Sequence, residues 1–297
     1  MSLVIVGSIG LDTIKTPAGQ VVDAPGGSAV YGSISGSYFT DVHIIGVVGE
    51  DYPQEARQML HRHGVNLEGL EVAAGKTFRW SGLYQDWNKA QTLNTELNVF
   101  ADFVPRIPQA CSSCHSLLLA NIHPELQLQV LQKTASYTHV ACDTMNFWIK
   151  GCPHTLREVI SRVQIVFMNE DEIKEFTGKM DIFSAAESIL ELGPQLMVVK
   201  RGEYGSIAIS REEMFFAPAY PIRQVKDPTG AGDSFAGAFM AHLEGASDLN
   251  FSKVKDAVRY GTIMAAYNVS QFSVDGMLDL NRDRIDQDKE ALCKMTN

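Results

Sequence analysis

Cysteine is scarce in these 297 residues, positive charge is outnumbered and no apolar run is long. The five cysteines (Cys111, Cys114, Cys142, Cys152 and Cys293) form an odd set with no disulfide framework, in keeping with a reducing compartment. Lysine and arginine total 25 against 35 acidic residues, a net charge of −10, so neither nucleic acid nor an anionic membrane is expected as a partner. No run approaches the length of a membrane span. The first ten residues lack a basic start and their apolar stretch, residues 3–6, is too short for a signal peptide, so a cytoplasmic location is expected. The P-loop pattern Gly-x-x-x-x-Gly-Lys-Ser/Thr is missing, which excludes the kinases built on it. Gly7-x-x-Gly10 is only half of a dinucleotide fingerprint and does not support a Rossmann dehydrogenase. Cys111-Ser112-Ser113-Cys114-His115 has the letters of a c-type haem attachment site, but no export is signalled and the segment runs into apolar residues 117–120. It reads as a turn before a strand.

What is present is the stretch Asp227-Pro228-Thr229-Gly230-Ala231-Gly232-Asp233-Ser234, followed by a run of small and apolar residues. Glycines let backbone N–H groups converge on one point, and the first N–H groups of a helix carry the positive end of its dipole. A phosphate, or a phosphoryl group in transit, fits there. Asp233 falls in that first turn, where the dipole is expected to keep its carboxylate ionised and ready to take a proton from a hydroxyl.

Hydrophobicity is 45% and charged residues make up 20%, enough for a substantial core. Apolar runs at 3–7, 42–48, 117–120, 139–142, 164–168 and 196–200 read as buried strands. Helical patterns at 53–63, 124–134, 153–162, after Asn169 and at 184–192 alternate with them, which predicts a mainly parallel sheet covered on both faces. Residues 12–22 and 70–104 break the rhythm, alternating like exposed strands, with a turn at 86–90. They predict a small antiparallel sheet acting as a lid over a site that must exclude water. A β-arm for contacts within a homodimer is the other reading, and the two are compatible.

The octapeptide closely resembles the second signature of the ribokinase (PfkB) family of carbohydrate and nucleoside kinases. Gly26-Gly27-Ser28-Ala29-Val30-Tyr31-Gly32 resembles the first, although the family commonly has Asn where Tyr31 stands. The resemblance runs from the first strand to about residue 275. It implies one ribokinase-like three-layer α/β/α domain over residues 1–297, with the small β lid inserted in it. It implies Asp233 as the catalytic base and Gly230, Ala231 and Gly232 as the anion hole. Asp12, Gly26, Gly27 and Tyr31 would then meet the acceptor. Asn169, Lys200, Gly202, Gly205 and Asn268 would line the ATP site. Asn169 and Glu172 would hold the hydration shell of magnesium, and Asp227 and Thr229 a monovalent cation such as potassium. The bare pattern at Asn169 is equally that of a helix capping box.

The activity implied is transfer of phosphoryl from ATP to a hydroxymethyl group of a small sugar, with the ribose of a nucleoside as the alternative acceptor. Tyr31, Phe78, Trp80, Tyr84, Phe100 and Phe103 place aromatic area where a base could stack. The same residues would equally suit a lid core or a protein-interaction surface. From another class, a catalytically silent sugar- or nucleoside-binding protein would keep much of the same pocket.

Overall fold

The structure, a computed structural model, describes residues 2–133, 137–246 and 248–296. It opens with β1 (Ser2–Val6), followed by the hairpin of β2 (Gly10–Thr16) and β3 (Gly19–Gly26). Then come α1 (Ser28–Gly36), β4 (Asp41–Gly49), α2 (Gln54–Arg62) and β5 (Val65–Ala73). A second hairpin, β6 (Phe78–Asp86) and β7 (Lys89–Glu96), precedes β8 (Ser116–Leu119), α3 (Pro124–Lys133) and β9 (His139–Asp143). The alternation continues with α4 (Asn146–Gly151), α5 (Pro153–Ile160), β10 (Ile165–Asn169), α6 (Glu170–Thr177), α7 (Ile182–Leu190) and β11 (Leu196–Lys200). β12 (Ser206–Ile209) and β13 (Met214–Ala217) fold back antiparallel, and α8 (Ala231–Leu243), α9 (Phe251–Val269), α10 (Asp275–Leu278) and α11 (Arg282–Met295) close the chain. The expected end of α3 at Thr134 lies outside the described residues.

Nine strands form one sheet in the order β13-β12-β11-β10-β9-β8-β1-β4-β5, parallel from β11 to β5. Side chains alternate across a strand, and here both faces are buried. Leu3 and Ile5 of β1 enter one apolar cluster with α1, α8 and α9, whereas Val4 and Val6 enter another with α3, α5 and α7. Ile165 and Phe167 of β10 divide from Val166 and Met168 in the same way. That is the three-layer arrangement expected. Among the described residues no helix is long and apolar enough to cross a membrane. Cys111 and Cys114 are buried in the turn before β8.

The small sheet has the order β3-β2-β6-β7. Each hairpin is antiparallel, and the two join through a parallel pairing of β2 with β6. Its boundaries differ from those expected. Residues 70–73 belong to β5, paired with β4 at the edge of the large sheet. An edge strand is half exposed and so carries the same alternation as a lid strand. Residues 98–102 form a 3-10 turn that packs Phe100 into the main core.

Candidate active site

The parallel order brings Lys200, Asn169 and Asp143 to neighbouring strand ends, with Gly7 and Ser8 following β1. Ligands of open α/β sheets bind at this edge. Helix α8 starts above it. Its N-cap is Gly230, at φ 75, in the left-handed region that favours glycine. A Cβ there would stand 2.3 Å from atoms of the Tyr31 ring, so the ring lies flat against Gly230 and supports the turn from below. Asp233 is the acidic residue of the first turn.

Four charged side chains couple at this point. Lys200 Nζ donates to Asp143 Oδ2 at 2.6 Å. It also lies against Gly232, 2.9 Å from where a Cβ would stand. Burial pushes Asp233 up to about 7, helped by the charge of Asp143 and opposed by that of Lys200. The expectation that the helix dipole keeps Asp233 fully ionised is thus corrected: desolvation outweighs it. Burial likewise raises Glu172 to about 7, with Lys200 opposing and Asp143 and Asp233 adding. Burial pulls Lys200 down, but Asp143, Glu172 and Asp233 outweigh it and raise it above its usual value. Three carboxylates therefore share one ammonium.

Asn169 and Glu172 form a complete capping box at the start of α6. Glu172 N donates to Asn169 Oδ1 at 2.8 Å and Asn169 N donates to Glu172 Oε2 at 2.7 Å. Among the described residues no cluster of three His, Cys, Asp or Glu side chains is spaced to hold a metal directly. The donor set nevertheless suits a hydrated divalent cation with phosphates, because hard carboxylate oxygens are in excess of the positive charge beside them.

The residues expected to meet an acceptor come from two strands and a helix start. Asp12, on β2, is buried and receives the Gly27 N–H. A Cβ on Gly26 would fall 1.9 Å from Asp12 Oδ2, so only glycine admits the carboxylate there. Burial raises Asp12 to about 7, with Asp227 next in effect. In the parallel register Asp12 stands opposite Trp80, so the two share one face of the small sheet. Trp80 is partly exposed and donates through Nε1 to Thr92 Oγ1 at 3.2 Å.

Other expected site residues serve as bracing. Asn268 is fully buried: its Nδ2 donates to Thr229 O at 2.7 Å and its Oδ1 accepts from Ser234 Oγ at 3.3 Å. It ties the glycine loop to α8 and offers no face to a nucleotide, which corrects that expectation. Asp227 is also buried, and its two oxygens accept from Thr229 N and Ser273 N. Thr229 Oγ1 donates to Tyr84 Oη at 3.2 Å. Gly202 and Gly205 bracket a 3-10 turn between β11 and β12, and the tip of the β6–β7 hairpin meets it where Asn88 Nδ2 donates to Glu203 Oε1 at 3.4 Å.

The aromatic group divides. Tyr31 is 1% exposed and shows no open ring face. Phe78, Phe100 and Phe103 pack together in the main core, with centroids 5.5 and 5.8 Å apart. Trp80 and Tyr84 remain on the small sheet. Asp143 was not singled out in the sequence. Its one signal is a carboxylate as the last residue of a buried strand, in a row of three whose other ends carry Asn169 and Lys200.

A curated relative, the cytidine kinase of Thermococcus kodakarensis, is 31% identical over 249 residues, covering 81% of this chain and 88% of that one. The crystal structure of a nucleoside kinase from Methanocaldococcus jannaschii aligns with a TM-score of 0.77 at 18% identity over 98% of both chains. A putative ribokinase II from E. coli, in complex with ATP and Mg2+, aligns at 0.79 and 18% identity over 98% of this chain and 99% of its own. The class is that of phosphotransferases acting on an alcohol group of a sugar or nucleoside. The chain belongs to the pfkB family of carbohydrate kinases, whose family model matches residues 3–280.

Proposed function

We propose that this kinase transfers the terminal phosphoryl group of ATP to the ribose hydroxymethyl of a nucleoside. The observation that carries the choice of acceptor is the pairing of Asp12 with Trp80 on one face of the small sheet. A carboxylate accepts two sugar hydroxyls, and an indole beside it offers a flat face for a base. The 31% identity with a cytidine kinase supports the same choice.

In this reading Asp233 accepts the hydroxyl proton while the new O–P bond forms and the bond from phosphorus to the ADP oxygen breaks. The amides of Gly230, Ala231 and Gly232 and the Lys200 ammonium receive the charge on the migrating group. Magnesium would sit near Asn169 and Glu172 and would neutralise the leaving phosphates. The base, at about 7, is matched to neutral pH. The hairpin from Tyr84 to Asn88 would exclude water, as a lid.

Steady-state kinetics with cytidine, uridine, adenosine, inosine, ribose and fructose test the acceptor. Trp80→Ala is expected to raise the KM for the preferred nucleoside about tenfold and leave the KM for ATP unchanged, since stacking contributes about 1–3 kcal/mol per base. Turnover of a free pentose or hexose with every nucleoside inert would overturn the reading.

A further inference from the structure

We infer that the side-chain amide of Asn121 is a base-reading group, donating a hydrogen bond to a carbonyl oxygen of the acceptor's nucleobase. Asn121 follows β8, two strands from Asn169 and one from β1. It therefore stands on the same strand-end edge as Asp143 and Lys200. Its backbone carbonyl accepts from Ser28 Oγ at 3.3 Å, and Ser28 follows Gly27, the residue whose N–H holds Asp12. By strand order Asn121 stands between the exit of β1, which leads into β2 and Asp12, and the end of β9, which carries Asp143.

The orientation of its amide is fixed by chemistry. Trp148 Nε1 can only donate, and it lies 2.9 Å from Asn121 Oδ1. The NH2 group must then face the other way, and there it meets Met145 Sδ at 3.2 Å. A thioether is a weak acceptor, so a carbonyl oxygen entering beside it would displace this contact at little cost. Asp12 and Asp233, the carboxylates on the acceptor side, only accept when ionised. Asn121 supplies a donor. Its surroundings are largely aromatic: the His123 and Phe147 rings each pack edge-on against Trp148 with centroids 4.8 Å away, and Phe147 is 65% exposed. A base edge fits that setting better than a sugar hydroxyl does.

This inference rests on the nucleoside reading and narrows it: the preferred acceptor carries a carbonyl on its base, as cytidine, uridine and inosine do and adenosine does not. Full-length wild type, Asn121→Asp and Trp148→Phe are compared by kcat/KM for cytidine and adenosine, with the KM for ATP and the Tm as controls. Wild type is expected to favour cytidine. Asn121→Asp keeps the acceptor for Trp148 and removes the donor, so the cytidine-to-adenosine ratio should fall about tenfold or more with the Tm and the KM for ATP preserved. Trp148→Phe frees the amide to turn and should lower the same ratio by less, which keeps the test open should the aspartate variant fold poorly. An unchanged ratio in both variants, or an equal loss for both nucleosides, overturns the role of Asn121 while leaving a nucleoside kinase. Wild type inert on all nucleosides overturns the acceptor assignment itself.

Discussion

The ammonium of Lys200 is bound to Asp143 at 2.6 Å and leans on Gly232, so a single cation joins the end of β9 to the first turn of α8. Its charge is felt by Glu172 and Asp233 as well, and the acidity of the proposed base is therefore set by residues that need never touch the acceptor.

Turnover should rise with pH through about 7 and level off above it, because Asp233 must lose its proton to act as a base. Asp143→Asn removes a charge that raises Asp233, so the midpoint of the rate profile should move down. Lys200→Met removes the charge that lowers it, so the midpoint should move up. Profiles of kcat/KM for the acceptor between pH 5 and 9 decide this. Two shifts in the same direction would disprove the coupling.

Asp233→Asn should reduce kcat by about a hundredfold to ten-thousandfold with ATP affinity retained, since the amide keeps the shape and loses the basicity. Titration calorimetry with a non-hydrolysable ATP analogue and single-turnover assays check both halves. More than a tenth of wild-type turnover would remove Asp233 as the base.

Stability without ligands should fall as pH rises from about 4 to 7. Asp12, Glu172 and Asp233 keep their protons to about 7 in the fold, whereas the unfolded chain releases them near about 4. Between those values the native state holds more protons, so raising pH favours unfolding, and the effect levels off above 7. Asp51, Asp286 and Asp288 are held low and act in the opposite sense at more acidic pH. His63 and His242, held by burial below the usual imidazole value, act in that sense up to about 6.5, where three carboxyl groups raised to about 7 outweigh them. Thermal melts from pH 5 to 8 should show a declining Tm, less steep in Asp233→Asn. A Tm that climbs through that range would contradict the burial argument.

Gly230→Ala forces a Cβ into the Tyr31 ring and keeps a positive φ that costs an alanine about 1–2 kcal/mol. The anion hole should open, with kcat falling further than the melting temperature suggests. Tyr31→Leu in the same background should restore folding stability without restoring turnover.

Much of this was legible in the chain itself. Gly230 and Asp233 stood out because an octapeptide carries their spacing and the following helix is composed of small residues. Asp143 did not, because its partner Lys200 is 57 residues away and only the order β9-β10-β11 brings the two together. The aromatic residues were read as one group because residue type declares apolar area and not direction. Phe100 and Phe103 turn into the main core from a 3-10 turn and its exit, whereas Trp80 shares a strand face with Asp12. Asn268 was given to the nucleotide by resemblance alone, and nothing in the local pattern shows that its amide turns inward to Thr229 O and Ser234 Oγ.

The β6–β7 hairpin touches the glycine loop through Tyr84 and the turn after β11 through Asn88. A ligand that draws the hairpin toward either contact changes the population of the other. By thermodynamic reciprocity, the factor by which the acceptor alters affinity for the nucleotide must equal the factor by which the nucleotide alters affinity for the acceptor. With the hairpin as the proposed lid, the two substrates would share a mechanical reporter one strand pair long, and loosening either end of it should uncouple them by the same factor in both directions.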